Sequence, residues 1–290
     1  MFKRVMYLAG IALVSLLCSN RTNKLMILWT SDVHCNTDDL EYVKNLKKNY
    51  KEKGYKVILL DDGDFIYDDT ISKEDETHGE KYIKQMNETG YDIAIPGNCE
   101  FNFGAKPFEK LRSHAKFKYI CCNVFHNGNS VMNPYVIKKI NGKKIAFIGF
   151  TAPWNTEKHK ELFADADGTV RYQFLCGEDA YWLLKTKINE VRRLGADYVY
   201  LFAHAGLYED TEEYSSQCLI ENTYGIDVCV DAHTHDHEVR TYTDAAGRSV
   251  MRIAVGDRLS YVGYSIIDMD NNVTNTGMLN IDEVIKQDEY

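Results

Sequence analysis

Leu25-Met26-Ile27-Leu28-Trp29-Thr30-Ser31-Asp32-Val33-His34 is a short apolar run, rich in branched and aromatic side chains, that breaks into Asp-x-His. Its length and composition predict a strand buried on both faces from Leu25 to Ser31, ending at Asp32. Val57 to Leu60 and Ile93 to Ile95 repeat the pattern, the first running into Asp61-Asp62-Gly63-Asp64 and the second into Pro96-Gly97-Asn98-Cys99-Glu100-Phe101-Asn102. Between these strands, Asp39 to Tyr55 places Leu40, Val43, Leu46 and Tyr50 at helical spacing, and Glu80 to Thr89 does the same with Ile83 and Met86. The alternation of strand and helix implies parallel pairing, with the polar residues gathered at the carboxyl ends of the strands, where an open α/β sheet forms its binding crevice.

The later chain continues in this style. Tyr135–Ile140 and Lys143–Phe150 flank Asn141-Gly142, a strong hairpin signal. A helix over Glu178–Leu194 feeds a strand from Tyr198 to Phe202 that runs into Ala203-His204-Ala205-Gly206. Asp227 to Val230 runs into Asp231-Ala232-His233-Thr234-His235. Ser249–Val255 and Tyr261–Met269 read as antiparallel strands. No internal repeat or low-complexity linker interrupts the chain.

The first 18 residues carry Lys3 and Arg4 before an apolar run from Val5 to Cys18, too short for a membrane span of roughly 20 residues. They read as a signal peptide cleaved near Ser19. Lipidation of Cys18 is the alternative, although Leu17 is bulky where a lipoprotein signal has a small residue. Residues 24–290 are then expected to form one exported domain, periplasmic, cell-surface or secreted. The full chain's net charge of −9 includes the leader's two cations, so the remainder is more acidic still. This argues against nucleic acid as a partner, because phosphate backbones are bound by displacing counterions with Lys and Arg. It leaves a small phosphorylated substrate open, since bound cations dominate the field in such a site. Membrane contact is expected only through an N-terminal anchor. Oligomeric state is not legible.

Each polar motif is weak in isolation. Gly63-Asp64 could be a turn, Asp61 and Asp62 a solvated acidic corner, and His204 a core histidine. Asp165-Ala166-Asp167-Gly168-Thr169 lacks the ligands of a calcium loop and reads as a surface turn. His237 reads as a surface or supporting residue, and His78, His114, His126 and His159 as surface. Five motifs in order, each directly after a strand, are a stronger signal. Asp-x-His at a strand end would direct both side chains to one face, because alternate strand residues share a side.

Together these segments resemble the calcineurin-like metallophosphoesterases, most closely the catalytic domain of the 5′-nucleotidase branch. Gly90–Asn98 and the hairpin Asn141–Thr151 carry the same likeness. The resemblance implies a four-layer αββα sandwich of two mixed sheets holding two divalent metal ions, Zn, Mn or Fe. Asp32, His34 and His235 would hold one ion, Asn98, His204 and His233 the other, and Asp64 would bridge both. A metal-bridging hydroxide would attack small phosphate esters, a nucleotide among them. Members of the branch usually have His at Cys99 and Asp at Asn102, a dyad that stabilises the transition state and protonates the leaving group. Both positions are altered here. The C-terminal domain with which larger nucleotidases bind the base is not expected in this chain. A metal-binding surface protein that has lost catalysis is the alternative.

Seven cysteines follow the leader, an odd number, and no Cys-x-x-Cys occurs. Cys121, Cys176, Cys218 and Cys229 read as small buried hydrophobes. Cys35 and Cys99 each follow a candidate ligand; the simpler expectation is that both face away, the sharper one that a thiolate lies beside the cations.

Overall fold

A computed structural model of the protein describes residues 22–67, 79–102, 104–152, 172–207 and 214–281. The leader with Cys18, His78, His159 and the Asp165–Thr169 segment lie outside the described residues. No helix among the described residues is long and apolar enough to cross a membrane.

The side-chain alternation of the first strand, β1 (Lys24–Thr30), organises the molecule. Leu25, Ile27 and Trp29 enter one apolar cluster, and Met26 and Leu28 another. A strand buried on both faces needs a layer on each side. On one side lie α1 (Leu40–Glu52), α2 (Glu80–Thr89) and α3 (Ala105–His114), whose Val43, Leu46, Ile83, Met86, Phe108 and Leu111 pack with Met26 and Leu28. On the other side lies a second sheet. β1 pairs in parallel with β2 (Lys56–Asp61), which continues through β3 (Ile93–Ala94) to β4 (Lys118–Tyr119).

Three short strands, β5 (Val124–His126), β6 (Asn129–Ser130) and β9 (Gln173–Phe174), form a small separate sheet. The second large sheet begins with the hairpin of β7 (Tyr135–Ile140) and β8 (Lys143–Thr151). Asn141 and Gly142 take φ of 49° and 85°, the positive values that a two-residue type I′ turn requires. β10 (Tyr198–His204) and β11 (Val228–Asp231) follow in parallel. Tyr200 and Phe202 meet Trp29 and Ile27 between the sheets. Val199, Leu201 and Ala203 face α4 (Gly177–Arg193) and α5 (Ser216–Glu221). The architecture is therefore the expected αββα sandwich of two mixed sheets.

The closing strands are β12 (His237–Thr243), β13 (Ser249–Val255), β14 (Tyr261–Asp268) and β15 (Val273–Asn280). They differ from the simple antiparallel pair expected. β13 runs antiparallel to β12 but parallel to β11, whereas β14 belongs to the first sheet, antiparallel to both β1 and β15. The apolar pattern fixes that a residue is buried, not which sheet buries it.

Candidate metal centre

The carboxyl ends of β1, β2 and β3 in one sheet and of β10 and β11 in the other converge on one point. There the structure corrects the sequence reading of Asp-x-His. β1 stops at Thr30, and Asp32 and His34 both adopt φ of 47°, so left-handed turns rather than strand alternation aim their side chains. Asp64, His233 and His235 share this conformation, with φ of 54°, 86° and 57°. Each such residue costs roughly 1–3 kcal/mol and persists only where its surroundings enforce it, as functional sites do.

Backbone hydrogen bonds supply that enforcement. Asp32 N–H donates to the Gly63 carbonyl and His34 N–H to that of Asp64, both at 2.9 Å. The buried Glu100 carboxylate, a role the sequence reading missed, accepts N–H groups from Asp64 (2.8 Å), Phe65 (2.8 Å), Ile66 (3.3 Å) and Gly97 (2.6 Å). One side chain thus ties the loop after β2 to the loop after β3. The loops touch so closely that a Cβ on Gly97 would overlap the Asp64 carboxylate. Gly97→Ala is therefore expected to displace Asp64 and lower the bound metal of the purified protein. Elemental analysis matching wild type would show that Asp64 can shift freely.

The ring nitrogens are oriented for ligation. A carbonyl oxygen can only accept, so His204 Nδ1–H donates to Asp62 O (2.7 Å) and His34 Nδ1–H to Tyr67 O (2.9 Å). Both Nε2 atoms then face the centre; fixing one imidazole nitrogen to present the other is a common support for metal-bound histidine. His204 Nε2 lies 3.2 Å from Asn98 Oδ1 and 3.4 Å from Asp64 Oδ2. His34 Nε2 and His235 Nε2 stand 3.0 Å apart. Asp32, His34 and His235 form one cluster able to hold an ion, and Asp64, His204 and His233 another.

The fit to cations rests on Asp32. Its Oδ2 accepts the His233 N–H at 3.0 Å, but its fully buried Oδ1 has no hydrogen-bond partner. That oxygen lies 3.6 Å from His235 Nε2, 3.8 Å from His34 Nε2 and 3.9 Å from His204 Nε2. A buried carboxylate oxygen facing three imidazoles beyond hydrogen-bonding reach is an arrangement that a borderline cation such as zinc satisfies. Without cations, burial alone would drive the His204 proton off, yet Asp64, Asp32 and Asp62 hold its pKa well above the usual imidazole value. Desolvation and the neighbouring His204 push the half-buried His233 down.

Several other residues depart from expectation. Asp61 and Asp62 are no solvated corner: both are buried. Asp61 accepts from Thr30 Oγ1 (2.6 Å), and burial pushes the Asp62 carboxyl well above its ordinary range. Cys121 and Cys229 are fully buried, while Cys176 and Cys218 are only partly so. His237 is exposed and stacks on Tyr261. His114 is exposed beside Glu80, and His126 is half-buried beside Tyr172. Asn102, half-buried, follows the 3₁₀ turn Cys99–Phe101, its N–H returning to the Cys99 carbonyl at 3.0 Å.

Behind the loop that carries His233 and His235 lies an ion-pair network that sequence reading also missed. Arg252 of β13 is completely buried and meets Asp231 (2.7 Å), Asp236 (2.8 Å) and Glu238 (3.1 Å). Burial would raise the Asp236 carboxyl, but the Arg252 guanidinium outweighs it and holds the pKa below the usual range. An Arg inside an otherwise apolar strand is the one signal the sequence offered.

Paired six-stranded sheets with imidazole, carboxylate and amide side chains meeting at their carboxyl ends define a metallophosphoesterase type of protein. Residues 25–237 match the family described as Calcineurin-like phosphoesterase, and the chain belongs to it. Calcineurin-like phosphoesterases use divalent metals. Among similar proteins is a 2′,3′-cyclic-nucleotide 2′-phosphodiesterase/3′-nucleotidase of Yersinia enterocolitica, 28% identical over 272 residues that cover 81% of this chain and 40% of that protein. The chain spans about two-fifths of the length of the curated relatives it matches. Similar folds include the calcineurin-like phosphoesterase YfkN from Bacillus subtilis, with a TM-score of 0.68 and 21% identity over 89% of this chain and 91% of that one. A 5′-nucleotidase precursor from Thermus thermophilus has a TM-score of 0.72 and 18% identity over 89% of this chain and 54% of that one.

Proposed function

We propose that this chain is an exported, metal-dependent phosphoesterase that hydrolyses small phosphate esters in the manner of the 5′-nucleotidases. The observation that carries the reading is the unpartnered Asp32 Oδ1 among three inward-facing imidazoles. Asp32, His34 and His235 would hold one cation, Asn98, His204 and His233 a second, with Asp64 between them. When bound, two such cations activate water and neutralise charge on the phosphoryl group. The chain's own part is to hold the ligands in strained but fixed positions, through Glu100 and the paired loops. The relatives' names make nucleoside phosphates and 2′,3′-cyclic nucleotides the first substrates to test. The N-terminal leader supports export.

Cys99 and Asn102 bear on which ester is cleaved. Positioned proton transfer is typically worth ~10² to 10⁴ in rate. A thiol is a weak donor, and a carboxamide cannot polarise a neighbouring acid as a carboxylate does. Esters whose leaving group needs no proton, such as aryl phosphates or pyrophosphate bonds, should therefore turn over about 10²-fold or more faster than nucleoside monophosphates. A phosphate-release panel on the metal-reconstituted protein checks this; equal rates on both classes would mean that the altered positions do not limit the chemistry. The second reading, a metal-binding protein without catalysis, is favoured by the same two positions and predicts no metal-stimulated release from any substrate.

A further inference from the structure

The ligand set assigned above leaves out a sulfur that lies among it. Cys99 Sγ, a His34 ring nitrogen and an Asp64 carboxylate oxygen all lie within 4.8 Å of one another. Of the two thiols expected to face away from the site, Cys99 faces into it. Its position is fixed rather than incidental. Its N–H donates to Asp64 Oδ1 at 2.7 Å, and its residue opens the 3₁₀ turn that Glu100 anchors. Asn98 Nδ2 donates to Sγ at 3.3 Å while Asn98 Oδ1 faces His204, so the amide orients the sulfur as an acceptor.

Donor atoms on one zinc-like ion lie about 2.0–2.2 Å (N, O) and about 2.3 Å (S) from it, so a nitrogen and a sulfur sharing the ion stand no more than about 4.4 Å apart. The cluster is already near that size. We propose that Cys99 is a thiolate ligand of the cation held by Asp32, His34 and His235, bound alongside Asp64. The proposal rests on the two-cation reading above and adds a soft donor to it. On binding, the thiol proton leaves to solvent and the sulfur lone pair goes to the metal. A thiolate shifts preference towards thiophilic ions such as Zn²⁺ or Co²⁺ and away from Mg²⁺ and Mn²⁺.

Titration of the metal-free, full-length protein with Co²⁺ tests this without reference to activity. Wild type should develop a near-ultraviolet sulfur-to-cobalt charge-transfer band together with visible d–d bands. Cys99→Ser should keep the visible bands and lose the near-ultraviolet one, and Cys35→Ser should keep both. X-ray absorption of the cobalt-loaded wild type should show a sulfur scatterer at about 2.3 Å, a measurement that needs no variant. Visible bands without the charge-transfer band or the sulfur scatterer would overturn the proposal and leave the two-cation reading standing, as would a band that survives Cys99→Ser. Failure to bind cobalt at all would overturn both.

Discussion

Asp64→Asn should abolish turnover. The amide keeps the shape of the side chain and can still accept the Cys99 N–H, so the loops should stay closed. It removes a negative charge placed between the two ligand clusters, in contact with His204. Cation charge stabilisation is worth several kcal/mol in phosphoryl transfer, and losing it should cost about 10³-fold or more in phosphate release. Elemental analysis of the variant should show both ions depleted, with a circular dichroism spectrum like that of wild type. Turnover within tenfold of wild type, or full metal content, would remove Asp64 from the centre.

The second large effect is on stability. Arg252→Met leaves Asp231 buried without its counter-charge and frees Asp236 and Glu238. Breaking a buried pair from one side costs about 3–5 kcal/mol. For a domain of this size each kcal/mol is about 2–4 °C, so the melting temperature should fall by on the order of 10 °C. The pH dependence should change as well. Asp236 has a folded pKa below its unfolded value of about 4, so it stabilises the fold above that pH, and this contribution is lost as pH falls through the folded pKa. In Arg252→Met that part of the acid limb should flatten. Calorimetry between neutral and acidic pH measures both effects, and an unchanged melting temperature would mean that the carboxylates find other partners.

How much of this was legible in the sequence depended on range. Strands buried on both faces announce themselves as apolar runs, so Leu25–Trp29, Val57–Leu60 and Tyr198–Phe202 could be read directly, with the polar motifs at their ends. The Asn141-Gly142 hairpin is a local property of two residues. β12 was not legible, because an edge strand with five exposed residues in His-Glu-Val-Arg-Thr-Tyr-Thr has no apolar alternation to detect. Glu100 and Arg252 were missed for a different reason: their partners are distant in sequence or are backbone N–H groups, so Glu100 leaves no trace in local pattern and Arg252 only the oddity of a cation inside an apolar strand. The left-handed turns at Asp32, His34 and Asp64 are invisible for the converse reason. Side chains usually signal such turns by being Gly or Asn, and here tertiary hydrogen bonds force them on residues chosen for their donor atoms.

The placement of β14 fixes an order of assembly. It inserts between β1 and β15, so the first sheet is completed only by strands made last, although β1 to β4, like β7, β8, β10 and β11, can pair as soon as they emerge from the ribosome. Contacts spanning the length of a chain form late. The half of the centre borne by β1, β2 and β3 is therefore made first but gains its last support, the Arg258 N–H on the Asp32 carbonyl at 2.8 Å, only when the chain is nearly complete.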